Sequence, residues 1–562
     1  MKVENTDTSP TRQRVNSPRP PVSAFFLIAL CLILLQAHAD EFRGTLHAQE
    51  KAIPARPNIV FVLCDDLGYG DLKCLNPEGK IKTPNFDRLA DGGMVFTDAH
   101  SGSAVCSPTR YGILTGRYAW RSRLKQGVLG GLSPRLIEPG RKTVAMLLKE
   151  QGYHTACFGK WHLGMKWVKR EGKDVTELGI ERPDQVWNVD YAQPVTNGPN
   201  AVGFDEYFGI SGSLDMVPYA FIQNDRVAIL PTEEKAFDMV LGRNRGQTRT
   251  GPTAPDFEAA DVLPTLTGKA VEYIGRRAAA AKQGQGRGQP FFLYLPFASP
   301  HTPIIPTPEW RGKSGLNPYA DFVMQTDASL GQVLDTLDKQ GLAENTLIIV
   351  TSDNGCSPFA NFEELLALGH NPNFRFRGHK ADIYEGGHRI PFIARWPAQV
   401  RAGTTSDQLI CLSDLMATCA EIVGVKLPDN AAEDSVSFLP TLVGQAEQPL
   451  HEAVVHHSAN GSFAIRQAQW KLALCPGSGG WSAPQPGKDD TSKLPLVQLY
   501  NLAEDLGERN NVQDQNPEVV ERLTKLLGKY VADGRSTPGA PQPNTGEVDI
   551  WKAGKAAHRP LP

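Results

Sequence analysis

Cys106 stands in the run Cys106-Ser107-Pro108-Thr109-Arg110, which continues after a short gap as Leu114-Thr115-Gly116-Arg117. A thiol beside a cation and a helix start is a candidate nucleophile, because both favour the thiolate. Pro108 suits the first turn of a helix that Tyr111 to Leu114 would continue. A second set carries oxygen: Asp65-Asp66, and Asp353-Asn354-Gly355. Each alone reads equally as a solvated turn. Together they offer carboxylates and an amide oxygen suited to a hard cation, Ca²⁺ or Mg²⁺, which would also relieve their mutual repulsion. A third set could meet an anion and move protons: Lys160 and His162 in Gly159-Lys160-Trp161-His162, His301 after Ser299-Pro300, and Lys380 after Gly378-His379. Neutral imidazole exchanges protons near neutral pH. Taken singly, each of these residues reads as readily as a structural hydrogen bonder or a solvated side chain.

These sets need a scaffold that gathers distant segments. Apolar runs from Asn58 to Leu63, His154 to Phe158, Phe291 to Phe297 and Thr346 to Thr351 each end in one of the polar groups. They read as buried parallel strands. Helix-like segments lie between them: Thr143 to Gln151, Tyr319 to Gln340 with Gly341 as a stop, and Ser413 to Val425. The alternation predicts an α/β fold, a large, mixed, mostly parallel central sheet with helices on both faces. Ligands gather beyond the carboxyl ends of such strands. The regions Arg170 to Pro199 and Gln223 to Pro255 are expected to be loops near the mouth of the site, and Ala278 to Gln289 a flexible connection. Phe463 to Leu474, Leu496 to Leu502 and the helix-like Pro517 to Ala532 predict a smaller C-terminal α+β domain. The expected organisation is a signal peptide over 1–39, a linker over 40–55, a catalytic domain over 56–430, the smaller domain over 431–536 and an irregular tail over 537–562.

The chain has 562 residues, 41% hydrophobic and 21% charged, enough for a large core and unlike a disordered or fibrous protein. Lys and Arg total 58 against 61 Asp and Glu, so no general attraction to nucleic acid or anionic membrane is expected. Any anionic substrate must be met by local cations. Lys2, Arg12, Arg14 and Arg19 precede the apolar run Ala24 to Leu35 and the small-residue pattern Ala37-His38-Ala39. This reads as a secretory signal, since the run falls short of the roughly 20 residues of a membrane span. Export with cleavage near Ala39 is expected. Cysteine is sparse for an exported chain of this length, so the fold is not expected to rest on disulfides.

Cys-x-Pro-x-Arg followed by Leu-Thr-Gly-Arg resembles the signature of type I sulfatases. Further blocks match in family order, through to Gln498-Leu499-Tyr500-Asn501-Leu502. The resemblance implies that a dedicated maturation enzyme oxidises Cys106 to formylglycine. It implies that Asp65, Asp66, Asp353, Asn354 and the modified Cys106 bind calcium, and that Lys160 and Lys380 hold the sulfate. In the implied reaction one hydroxyl of the formylglycine hydrate attacks sulfur, with Asp353 as proton acceptor. His301, helped by Lys380, protonates the leaving alcohol, and His162 takes the proton of the second hydroxyl. Arg110 orients the hydrate. Ser213 is matched to a further family serine near the site, with Ser211 as its rival. The expected activity is hydrolysis of a sulfate ester, on a carbohydrate or an aryl alcohol. The alternatives are a phosphate or phosphonate ester hydrolase of the same superfamily and a binding protein that retains an unmodified thiol. Arg375, Arg377, His379 and His388 flank the Lys380 block, where they serve either an anionic sugar or the fold.

Overall fold

The computed structural model describes residues 56–173, 182, 184–284 and 288–552. The expected signal peptide and linker lie outside the described residues, as do parts of the Arg170 to Pro199 loop, the Ala278 to Gln289 connection and the C-terminal tail.

The apolar runs form the middle of a ten-stranded sheet. Five neighbouring strands, Thr346–Ser352, Asn58–Cys64, Phe291–Pro296, His154–Lys160 and Glu206–Ile210, run parallel. Val60 pairs with Leu293 on one side and Ile348 on the other. Their side chains are buried regardless of the face they point to, as strands covered on both sides require. Antiparallel partners flank this core: Phe392–Arg395 and then Met94–Phe96 beyond Thr346–Ser352, and Ile222–Gln223 beyond Glu206–Ile210. The sheet is therefore mixed and mostly parallel.

The helices fall into two packed groups. Val262–Lys282 and Pro84–Asp91 pack on Pro318–Lys339, while Cys106–Thr115, Val144–Glu150 and Leu415–Ile422 pack on one another. Local chemistry sets the ends of Pro318–Lys339. The Asn317 side chain accepts from the Ala320 amide, Pro318 occupies the first turn, and Gly341 follows in the left-handed region at φ 71°. Val262–Lys282 has no helix expectation, because Pro264, Gly268 and Gly275 interrupt the pattern of Leu263, Leu266, Ala270, Tyr273 and Ile274 that it buries, and its C-terminal end takes up the first five residues of the expected Ala278 to Gln289 connection. Gln223 to Pro255 is more ordered than a loop. It holds the strands Arg226–Val227, Glu233–Lys235 and Gly251–Thr253, beside a ring cluster of Tyr219, Phe237 and Phe257.

The C-terminal part is a four-stranded antiparallel sheet of Val454–His457, Phe463–Gln467, Trp470–Ala473 and Gln498–Asn501. Helix Pro517–Asp533 covers it with Val519, Leu523, Leu527 and Tyr530, a stripe at helical spacing, and stops at Gly534, φ 65°. A buried ion pair ties this region to the chain before it, Arg121 Nε donating to Asp434 Oδ2 at 2.8 Å and Arg121 Nη1 to the Tyr530 carbonyl at 2.9 Å. All eight cysteines among the described residues are free. No helix there is long and apolar enough to cross a membrane.

Candidate active site

The carboxyl ends of all five parallel strands converge. Asn58–Cys64 delivers Asp65 and Asp66, and Thr346–Ser352 delivers Asp353 and Asn354. His154–Lys160 delivers Lys160 and His162, Phe291–Pro296 leads to His301, and Glu206–Ile210 leads to Ser213. Asp66 and His162 adopt left-handed backbone at φ 65° and 54°, a conformation that costs energy and gathers at functional sites. Gly159 is required where it stands, since a Cβ at its φ of 147° would lie 1.9 Å from the Pro296 carbonyl oxygen. Cys106 is the first residue of its helix, with Pro108 in the first turn as anticipated, and the helix carries Arg110 one turn further along the chain.

The side chains interlock. Arg110 donates from Nε and Nη2 to Asp353 Oδ2 at 3.0 and 2.8 Å, and from Nη1 to the Lys160 carbonyl at 3.0 Å. Lys160 Nζ donates to Asp65 Oδ2 at 2.7 Å and to Ser213 Oγ at 3.0 Å. Lys380 Nζ donates to Asp66 Oδ2 at 2.8 Å, and His301 Nε2 lies 3.6 Å from the same oxygen. Cys106 Sγ is 3.6 Å from Asp65 Oδ1. Ser213 Oγ lies 3.3 Å from the His301 ring nitrogens, whereas the buried Ser211 hydroxyl has no partner. Of the two serines, Ser213 is the one that touches the cation and the imidazole.

Two further buried atoms, on Asn354 and His162, also lack hydrogen-bond partners, and both matter. Asn354 donates from Nδ2 to Asp66 Oδ1 at 2.7 Å, which leaves its Oδ1 unmatched. His162 Nε2 donates to the Leu129 carbonyl at 2.6 Å, so the lone pair sits on Nδ1, which is unmatched. Asp65, Asp66, Cys106 and His301 bring ligand atoms within 4.8 Å of one another. Asp353 stands outside that tightest group because Arg110 holds its Oδ2. Three buried carboxylates and an orphaned amide oxygen fit a hard divalent cation. In the described arrangement Lys160, Lys380 and Arg110 balance the three carboxylates instead.

This charge pattern sets the proton inventory. Burial opposes ionisation of Asp65, yet Lys160 and His301 hold its carboxyl well below the usual range. Burial and the neighbouring Asp65 push Asp353 up to about 6. Burial, then Lys160 and Arg110, holds the His162 imidazole well below its ordinary value, so it is a neutral base at neutral pH. The Cys106 thiol is pushed up by burial, against the pull of Lys160 and Lys380. The thiolate suggested by a helix start and a nearby arginine does not form here.

All the sequence-predicted site residues meet in one place, and Cys106, His162, Ser213, His301 and Lys380 line a cavity of about 490 Å³. Its remaining lining includes Asp215, Arg249, Asn460, Trp481 and Gln485, which sequence reasoning missed. Asp215 follows the end of Glu206–Ile210 two residues after Ser213, and the others lie away from the five strand ends, where no local pattern marks them. Of the residues flanking Lys380, Arg377 and His388 hold the fold. Arg377 sits 3.9 Å from the Tyr384 ring and donates to the Glu508 carbonyl, and His388 is wholly buried.

The Sulfatase family profile matches residues 57–425. An N-acetylgalactosamine-6-O-sulfatase of Bacteroides thetaiotaomicron is 35% identical over 84% of this chain and 92% of its own length. Human arylsulfatase A is 31% identical over 88% of this chain and 92% of its own. A solved structure from the metabolism of multiple glycosaminoglycans by Bacteroides thetaiotaomicron superposes with a TM-score of 0.70 at 33% identity, covering 84% of this chain and 99% of that one. The phosphonate monoester hydrolase of Agrobacterium radiobacter, at TM-score 0.53 and 19% identity, shares the fold alone. A profile that spans more than half the chain, over a site whose blocks fall at its strand ends, makes the protein a member of the sulfatase family and a sulfuric ester hydrolase.

Proposed function

We propose that the protein is an exported sulfatase that hydrolyses a sulfate ester of a carbohydrate, with formylglycine at position 106 and calcium in the carboxylate cluster. The observation that carries this reading is the ring of Lys160, Lys380, Arg110 and His301 around a buried Cys106 on a cavity wall. Sulfate ester cleavage builds negative charge on equatorial oxygens and on the leaving oxygen, which fixed cations and one acid stabilise. A neutral buried thiol supplies no such nucleophile. The hydrated aldehyde supplies a hydroxyl for attack and a second one through which sulfate is expelled. Asp65, Asp66, Asp353 and Asn354 would hold calcium, which would supply a Lewis acid that polarises the sulfate and lowers the cost of negative charge on the attacking hydroxyl.

The chain's own residues do the rest. Asp353 accepts the proton of the attacking hydroxyl, and Arg110 fixes the orientation of that carboxylate. Lys160 and Lys380 hold the sulfate oxygens; each is drawn to a carboxylate in the described arrangement, and a cation on those carboxylates would free both ammonium groups for the sulfate. His301 gives its proton to the departing alcohol, with Ser213 fixing the ring. His162 accepts at Nδ1 the proton of the second hydroxyl.

Sugar is favoured over aryl sulfate because relatives act, by their names, on N-acetylgalactosamine 6-sulfate. The proposed partners are this sulfated sugar and a formylglycine-generating maturation enzyme. The signal peptide over 1–39 and the domain limits 56–430 and 431–536 belong to the same proposal. The test is turnover of N-acetylgalactosamine 6-sulfate and 4-nitrophenyl sulfate beside matched phosphate mono- and diesters. Faster turnover of the sulfate esters is expected, and far faster turnover of the phosphorus esters would overturn the reading. Dialysis against a chelator should lower activity at least about 10-fold, with recovery on adding Ca²⁺. Full activity after chelation contradicts a working metal.

A further inference from the structure

The cavity that reaches Cys106 has a second wall, from a segment the reaction does not use: Asn460, Gly480, Trp481 and Gln485. Trp481 is 43% exposed, an unusual cost for an indole unless something covers it. It is held in place. Asp382 Oδ1 accepts from the Trp481 and Ser482 amides at 2.7 and 3.0 Å, and Asp382 Oδ2 accepts from the His379 amide at 2.9 Å. One wholly buried carboxylate thus frames both the Trp481 turn and the Lys380 turn. The two backbones touch, since a Cβ on Gly480 would lie 2.4 Å from the Ala381 carbonyl oxygen. The indole consequently stands 6.0 Å from Lys380 Nζ.

Asp215 lines the same cavity. Its Oδ2 accepts from Arg249 Nη1 at 2.8 Å, while its Oδ1 is buried with no hydrogen-bond donor. A buried carboxylate oxygen without a donor is expensive, and a ligand hydroxyl or amide N–H would satisfy it. Burial opposes its charge, but His301 and Arg249 outweigh burial and hold the carboxyl below the usual range. A ring substituent without a donor, such as a carboxylate or a sulfate, cannot supply that bond. An apolar plate and a lone acceptor beside a cation cage match a ring with a C–H face and a hydroxylated edge.

We propose that Trp481 and Asp215 form a recognition subsite for the alcohol part of the substrate. In it a neutral pyranose lays its C–H face on the indole and donates one hydroxyl or amide N–H to Asp215 Oδ1. The subsite rests on the sulfatase reading, because Lys160 and Lys380 grip the ester of the same sugar. It favours a hexose or N-acetylhexosamine sulfate whose ring edge offers a hydroxyl or amide N–H to Asp215 over a ring whose facing carboxylate or further sulfate has no proton to donate.

The test is calorimetric binding of N-acetylgalactosamine 6-sulfate and of inorganic sulfate to the inactive Cys106→Ala protein. Adding Trp481→Ala or Asp215→Ala should weaken the sugar ester about 10-fold each, and Trp481→Phe should restore it to within about 3-fold. Inorganic sulfate affinity should move by less than about 3-fold, because the cation cage is intact. Unchanged affinity for the sugar ester overturns the subsite, as does an equal loss for ester and inorganic sulfate. Binding of inorganic sulfate without any binding of the sugar ester overturns the subsite alone. Binding of neither overturns the sulfatase reading beneath it.

Discussion

Two buried clusters in this protein are built from the same residue types, and only one is a reaction site. The first surrounds Cys106. The second lies where the C-terminal sheet meets the rest of the chain. There, Asp98 accepts from Arg466 Nη2 at 2.6 Å and lies 2.8 Å from His100 Nε2. Lys471 Nζ lies 3.0 Å from Glu385, 2.8 Å from Glu508 and 2.9 Å from His388 Nε2. His388 and His456 stack with ring centroids 3.8 Å apart and planes at 11°. The three imidazoles of His100, His388 and His456 are close enough to suggest a metal. Stacked rings, however, cannot both aim in-plane lone pairs at one ion, and Arg389, Arg466 and Lys471 already balance Asp98, Glu385 and Glu508. Near Cys106 the cations also balance the acids, but there a cavity reaches the thiol and the unmatched His162, whereas the unmatched His456 Nε2 of the second cluster is wholly buried and the cavity beside that cluster is lined by Asp98, Arg389 and Arg466 and by none of its imidazoles. What separates a site from a fastening is therefore which groups the open space reaches, not residue type.

That contrast can be broken by substitution. The largest effect is expected for Cys106→Ala, with turnover falling at least about 10³-fold while the urea midpoint hardly moves. Retained hydrolysis would refute the nucleophile. Lys471→Met should do the reverse. It strips the buried Glu508 of its cation and leaves Glu385 only Arg389 and Arg466, and should cost about 3–5 kcal/mol in urea unfolding, with kcat/KM of the folded protein nearly preserved. If it abolishes activity without loss of stability, the second cluster is more than a fastening.

A smaller effect is expected for His162→Gln, a fall of about 10²-fold in kcat with little change in KM, measured by steady-state kinetics. A rise in KM alone would make His162 a binding group. The smallest effect is in pH. Burial holds His100, His388 and His456 below the ordinary imidazole value of 6.5. The unfolded chain takes up these protons near pH 6.5 and the folded protein only at lower pH, so the stability they contribute is complete above 6.5 and lost as pH falls. Glu508, pushed up to about 7 by burial, acts oppositely, contributing below pH 4.5 and losing that contribution as pH rises through about 7. Three imidazoles against one carboxyl predict a lower urea midpoint at pH 5 than at pH 7, and His456→Leu should flatten the difference. A midpoint that rises toward pH 5 contradicts this account.

The reaction groups were legible because physics places them at the ends of apolar runs. Ile59 to Leu63 must be buried, and Asp65-Asp66 directly after it must leave the sheet. The Tyr319 to Gln340 expectation differs from the observed Pro318–Lys339 by one residue at each end, because Asn317 and Gly341 are local signals. Trp481 has no such signal. It reaches the cavity through hydrogen bonds to Asp382, a residue far away in sequence. His388 was open to two readings, as its neighbour Lys380 is a site residue. Four residues of helix, Glu385–His388, turn it away into the second cluster. Contacts made across the fold are invisible to periodicity, and specificity here is built from such contacts.

The proposed maturation makes the encoded Cys106 a precursor rather than the working group. It is tested most directly by mass spectrometry of the tryptic peptide that contains Cys106, taken from natively produced protein that is turning over a sulfate ester. The account predicts a peptide in which the thiol is replaced by an aldehyde. An active preparation that holds only the unmodified thiol would contradict it.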